Sequence, residues 1–153
     1  MSNITKSVDV EVPVPTAYNQ WTQFESFSEF MEGVDEVRQI DDTHTHWVIS
    51  IGGVTREFDA EITEQHANER VAWNATEGIN HAGVVTFHRL DEGVCRVTLQ
   101  MDVDADGVAE KAAEKSGILG ARVQGDLERF KKFIEKRGHP TGAWRGDIAP
   151  PRP

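Results

Sequence analysis

The chain has 153 residues, 38% of them hydrophobic, and 16 Lys and Arg stand against 26 Asp and Glu for a net charge of −10. Such a chain is one ordinary domain able to bury a core, which excludes disorder as its main state. The acidic excess repels nucleic acid phosphates and anionic lipid surfaces, so neither is an expected partner.

The imbalance lies in residues 1–105, which hold 6 basic and 19 acidic side chains. The basic cluster Lys131, Lys132, Lys136 and Arg137 reads as the end of a helix, where cations offset the negative end of the macrodipole. The uncharged run Thr43 to Thr55 is too short to cross a membrane, which takes about 20 apolar residues as a helix. The first residues lack the apolar stretch of a signal peptide. A single cysteine, Cys95, permits no internal disulfide and fits a reducing interior. A cytoplasmic protein without integral membrane association is expected.

Val8, Val10 and Val12 alternate with Asp9 and Glu11, the pattern of a half-buried strand, and Pro13 and Pro15 stop it. Thr16 is placed to cap a short helix carrying Ala17, Trp21 and Phe24, and a second short helix is expected from Ser26 to Met31. The period then changes to two. Val34 to Ile40 forms one strand. Trp47, Ile49 and Ile51 share a face of the next, and Gly52-Gly53 turns the chain back. The return strand, Val54 to Gln65, places Arg56, Phe58, Ala60 and Ile62 on one face. Val71, Trp73 and Ala75 follow, then a turn at Gly78, then Gly83, Val85 and Phe87. After Asp91-Glu92-Gly93 come Cys95, Val97, Leu99 and Met101.

An antiparallel sheet with one apolar face needs a cover. Only the segment from about Gly107 to Arg137 is long enough, with Val108, Ala112, Leu119, Val123, Leu127, Phe130 and Ile134 at helical spacing. As a helix it runs about 46 Å, which matches the strand Val54–Gln65 at about 40 Å. Gly138 and Pro140 end it. The domain is therefore expected over 1–138, with 139–153 as a flexible tail.

The element order, with the strings Val-Asp-Val-Glu-Val-Pro-Val-Pro, Ser-Glu-Phe-Met-Glu-Gly-Val and Gly-Asp-Leu-Glu-Arg-Phe-Lys-Lys-Phe-Ile-Glu, resembles the SRPBCC (START-like, helix-grip) superfamily. Within it the chain is most similar to the polyketide cyclase/dehydrase branch, which also contains coenzyme Q-binding START-like proteins. The resemblance covers roughly residues 4–137. It implies an α+β helix-grip fold: a curved seven-stranded antiparallel sheet wrapped on a long C-terminal helix, with two short helices after the first strand. It also implies a hydrophobic cavity between sheet and helix, in which members hold lipids, quinones, hormones or polyketides. Ribosome-associated members also occur in this branch, and the acidic body speaks against that role.

The face turned to the helix carries Trp47, Ile49, Phe58, Trp73, Val85, Phe87, Leu99 and Met101, with Leu119 and Val123 opposite. These are the expected ligand-lining residues, and the two tryptophans suit a flat apolar ligand. The alternative is a solid core. Arg56 shares the parity of Phe58 and, if buried, needs a partner: a ligand oxygen, an internal acid, or water at an open end. A bulge by Gly53 would turn it outward.

Two functions follow. One is a binding protein for a lipophilic small molecule, oriented by Arg56. The other is an aromatic polyketide cyclase/dehydratase in which Arg56 polarises a carbonyl and His81 or Tyr18 moves protons. His44 and His46, two apart on a strand, lack an evident third ligand, so no metal is expected. Asp102-Val-Asp-Ala-Asp106-Gly107 opens like a calcium loop, but its twelfth position is Ala113 rather than a bidentate Glu. No phosphate loop, nucleophile elbow or cofactor motif is present, so no cofactor is expected.

Overall fold

The computed structural model describes residues 2–31, 34–51, 54–77, 80–104, 118–144, 146 and 148. Strand β1 is Ser2–Val10, helix α1 Val14–Trp21, and a 3-10 helix spans Phe24–Glu29. Six strands follow: β2 Val34–Gln39, β3 His44–Ile51, β4 Val54–His66, β5 Arg70–Glu77, β6 Asn80–Asp91 and β7 Val94–Asp104. Helix α2, Ile118–Arg137, completes the order. Residues 107–117, expected to open this helix, lie outside the described residues, as do the turns at Gly52-Gly53 and Gly78.

The seven strands form one antiparallel sheet in the order β1-β7-β6-β5-β4-β3-β2. The fold is thus the expected curved antiparallel sheet with a C-terminal helix. The hydrophobic alternation dictates the outcome: Cys95, Val97 and Leu99 are buried while Arg96 and Gln100 are exposed. One face of every strand must be covered, and α1, the 3-10 helix and α2 lie against it.

Local differences from the sequence reading have simple causes. Helix α1 begins before Thr16, with Pro13 as its N-cap and no side-chain cap. Pro15 sits in the first turn, where its missing N–H is no loss and its φ is already helical. The second short helix starts at Phe24 rather than Ser26 and is 3-10 in type. In β4 the pairing register shifts between Ile62 and Glu64, and this bulge turns Gln65 into the core, 1% exposed. Asn68, at φ 65°, takes the left-handed turn between β4 and β5, a conformation its short side chain tolerates. Gly138, at φ 74°, ends α2, and its N–H donates to the Ile134 carbonyl at 2.8 Å.

The segment after Gly138, expected as a flexible tail, is docked over its described part. Gln20 Nε2 donates to Thr141 Oγ1 at 3.1 Å, and the Thr141 N–H donates to Gln20 Oε1 at 2.8 Å. The Trp144 N–H donates to Thr22 Oγ1 at 3.1 Å. Ile148 and Gln65 exchange two backbone hydrogen bonds of 2.8 Å, extending the sheet where β3 has ended. Buried Gln20, Thr22 and Gln65 supply partners that a composition-based reading of the tail cannot see.

Candidate functional site

The concave face of the sheet changes character along its length. At the end of Val10, Cys95, Val97, Phe87 and Val85 it is solid. Ala17, Tyr18 and Trp21 of α1 and Leu127, Phe130 and Ile134 of α2 fill it there. Trp21 meets Phe130 at 5.1 Å and Phe27 at 5.2 Å between ring centroids, and Tyr18 meets Phe87 edge-on at 5.5 Å. Tyr18 is fully buried, and its hydroxyl accepts a hydrogen bond from Gln65 Nε2 at 3.1 Å.

In the middle, Trp47 stacks with Phe58 at 5.7 Å and with Trp73 at 6.4 Å between ring centroids. Its indole N–H donates to Thr45 Oγ1 at 2.8 Å. The two tryptophans marked as a platform for a flat ligand therefore stack on each other. Trp73 extends over Gly83 of β6, where a Cβ would come within 2.4 Å of the indole. A void of about 10 Å³ remains among Phe24, Phe27, Thr45, Trp47, Ile62, Val71 and Trp73. That is about the room one water needs.

Toward the opposite end the same face opens. Ile4 of β1, Met101 of β7, Gly83 of β6, Ala75 of β5 and Val54 and Arg56 of β4 point inward yet are half-exposed. Ile49 and Val123 lie at the same end and are buried. Arg56 pairs with Ile49 in a register that runs unbroken from His44 to Ile51, so no bulge turns it outward. Arg122 of α2 reaches across this end and donates from Nη1 to the Ser50 carbonyl at 2.7 Å.

The expected lining residues thus divide. Phe58, Val85, Phe87 and Leu99 are packed core, and Trp47 and Trp73 complete it. Ile49, Arg56, Met101 and Val123 stand at the open end. Leu119 lies in the first turn of α2 and His81 in β6 opposite Val103, and the side chains of both lie outside the described residues. Tyr18 and Arg56 are not brought together. Tyr18 binds Gln65, nine residues along β4 from Arg56, or about 30 Å of strand contour.

Lys6 escaped the sequence reading. It shares the inward parity of Ile4, Val8 and Val10, a signal present in the alternation of β1. Its tip reaches the start of α2, where a Cβ on Gly120 would lie 3.8 Å from Nζ.

On the outer face of β3 and β4, His46 Nδ1 meets Asp59 at 2.6 Å and its Nε2 meets Glu57 at 3.0 Å. The Asp59 hydrogen bond, then that of Glu57, raises the His46 pKa above its ordinary 6.5. His44 is held by Asp41 at 2.9 Å and its pKa is raised likewise. Among the described residues no group of three or more His, Cys, Asp or Glu is arranged to hold a metal ion. Burial pushes the Cys95 thiol up to about 11, so it is an inert core group.

Comparison with known proteins places this geometry. Residues 10–132 match the sequence profile of a family described as polyketide cyclase / dehydrase and lipid transport. An uncharacterised 17.2 kDa protein from the melC2-rnhH intergenic region of Streptomyces lincolnensis is 58% identical over 149 residues, 97% of this chain and 99% of that one. Among solved structures, a protein of Thermus thermophilus superposes with a TM-score of 0.76 at 16% identity, covering 89% of this chain and 99% of its own. The ZhuI aromatase/cyclase of Streptomyces sp. R1128 superposes with a TM-score of 0.71 at 13% identity, covering 94% and 99%. A START superfamily protein of Mycobacterium smegmatis gives 0.62 at 15% identity, covering 83% and 97%.

Proposed function

Since the chain belongs to the polyketide cyclase/dehydrase and lipid transport family, we propose that it binds a lipophilic small molecule between the concave sheet face and α2. The observation that carries this reading is the opening of that face. Ile4, Ala75 and Met101 turn inward and remain half-exposed, while the same face is sealed around Val85, Val97 and Cys95. Inward apolar surface that the described residues leave partly uncovered is surface that an apolar ligand removes from water, at about 25 cal/mol per Å². Its boundary with the stacked Trp47, Phe58 and Trp73 gives the site a rigid aromatic floor.

Binding is favoured over an aromatic polyketide cyclase/dehydratase acting in the same place. Catalysis of that kind needs a group that moves a proton beside the one that polarises the carbonyl. Arg56 stands at the open end, Tyr18 is engaged with Gln65 in the sealed end, and the side chain of His81 lies outside the described residues. The likeness to an aromatase/cyclase supports the shared fold and leaves the chemistry to the site.

Native mass spectrometry of freshly purified protein, followed by organic extraction, tests the reading. The expected result is an adduct lost on denaturation and recovered as a lipid, quinone or polyketide-like molecule. A protein that is empty as purified, and that also fails to take up added dodecanol, contradicts it.

A further inference from the structure

The open end is electrically unlike the rest of the molecule. The chain carries a net charge of −10. The outward faces of the strands are rich in acids that pair with Arg38, Arg70 and Arg96 through Glu36, Glu64 and Asp9. Between Ile4 and Met101 in the chain, the strand positions of inward parity whose side chains are described carry charge at Lys6 of β1, Arg56 of β4 and Arg89 of β6, all positive, and Arg89, opposite Cys95, lies at the sealed end. Arg122 joins Lys6 and Arg56 from α2, fixed by its hydrogen bond to the Ser50 carbonyl, and Ser50 pairs with Thr55, the neighbour of Arg56. The Lys6 ammonium lies beside Gly120, two residues from Arg122 along the same helix. The first described turn of α2 thus carries one cation on the side of β1 and another on the side of β3 and β4.

Two of these groups have donors to spare. The guanidinium of Arg122 places one N–H on Ser50 and has five in all. Lys6 makes no hydrogen bond or ion pair among the described residues. A lysine needing only water would stand as well at Thr5 or Ser7, its exposed neighbours on β1. Inward placement brings its charge to the rim of the apolar surface instead.

We propose that the ligand is an anionic amphiphile, an apolar body with a carboxylate or phosphate head, whose body lies over Ile4, Ala75 and Met101 and whose head is drawn to the cations that edge this end, Lys6 on one side of α2 and Arg56 and Arg122 on the other. This rests on the binding function proposed above and adds the sign of the head group. The acidic outer surface keeps the protein off anionic membranes, and the local cations select an anionic molecule once it has left one. A cation held at the edge of a low-dielectric site forms a charge-assisted hydrogen bond about twice as strong as a neutral one.

The test compares dodecanoic acid, dodecyl phosphate, dodecanol and dodecylamine as competitors of Nile red, a neutral reporter. The expected order places either anion about tenfold or more ahead of dodecanol, with dodecylamine weakest, and the preference falls at high salt. The two anions separate a carboxylate-specific from a phosphate-specific site, and either supports the proposal. In Lys6→Met and Arg122→Met the ratio of anion to dodecanol affinity shrinks. Lys6→Glu shifts the preference toward dodecylamine. These ratios are internal to each variant, so a change in stability does not mimic them. Equal binding of dodecanol and dodecanoic acid overturns the anionic head and leaves the apolar site standing. Failure of all four to displace or bind overturns both.

Discussion

Gly83→Ala is a small change that the geometry makes costly. Gly83 pairs with Trp73 across β5 and β6, and an added Cβ would stand 2.4, 2.7 and 2.9 Å from three atoms of the indole. The ring has no free path away, because Trp47 stacks against it at 6.4 Å and Phe58 stacks on Trp47 at 5.7 Å. Forcing a rigid side chain out of a packed stack costs about 1–3 kcal/mol, and the entropy gained by replacing Gly returns about 0.5–1 kcal/mol of it. The net loss expected is about 1.5 kcal/mol, or about 4 °C in Tm for a domain of this size. Urea unfolding followed by tryptophan fluorescence measures it. Gly120→Ala is the control: its Cβ meets Lys6 Cε at 3.5 Å, an ordinary contact, and the helix gains about 1 kcal/mol. A Gly83→Ala protein as stable as the parent refutes the packed tryptophan stack.

Three further outcomes follow. A chain ending at Gly138 leaves Gln20, Thr22 and Gln65 without their partners in the tail. It should lose about 2 kcal/mol in urea unfolding, whereas unchanged stability makes the strap superfluous. His46 has a raised pKa in the fold, so its pairing with Asp59 and Glu57 contributes fully below 6.5 and is lost as pH rises through the folded value. His46→Gln should therefore destabilise more at about pH 5.5 than at about pH 9, and an equal effect at both contradicts the clamp. Cys95, fully buried with its thiol held at about 11, should resist a thiol reagent in the folded protein and react on unfolding. Rapid labelling of the native state would place it elsewhere.

Much of the fold was legible because two-residue periodicity is a physical requirement of a half-buried sheet. Cys95, Val97 and Leu99, like Phe58, Ala60 and Ile62, sit where alternation put them. What periodicity cannot show is the bulge at Ile62–Glu64, since a bulge changes parity without changing composition. It carried Gln65 into the core and created a partner for both Tyr18 and Ile148. Parity likewise named the inward residues without saying which of them touch one another. Trp47 and Trp73 qualified equally as ligand platform and as filler, and only the strand register stacks them. Lys6 obeyed the same alternation as Val8 and Val10 but was passed over, because a charged residue in a short strand reads as outward.

If the concave face receives its ligand at one end only, methionine reports on it directly. Of the 3 methionines, Met101 is half-exposed on the inward face at the open end. Met31 is buried, 8% exposed, beside the 3-10 helix. Titrating methyl-labelled protein with dodecanol should move the Met101 methyl resonance and leave that of Met31 in place. Movement of Met31 with Met101 unchanged, or of neither while dodecanol demonstrably binds, would put the ligand outside the site described.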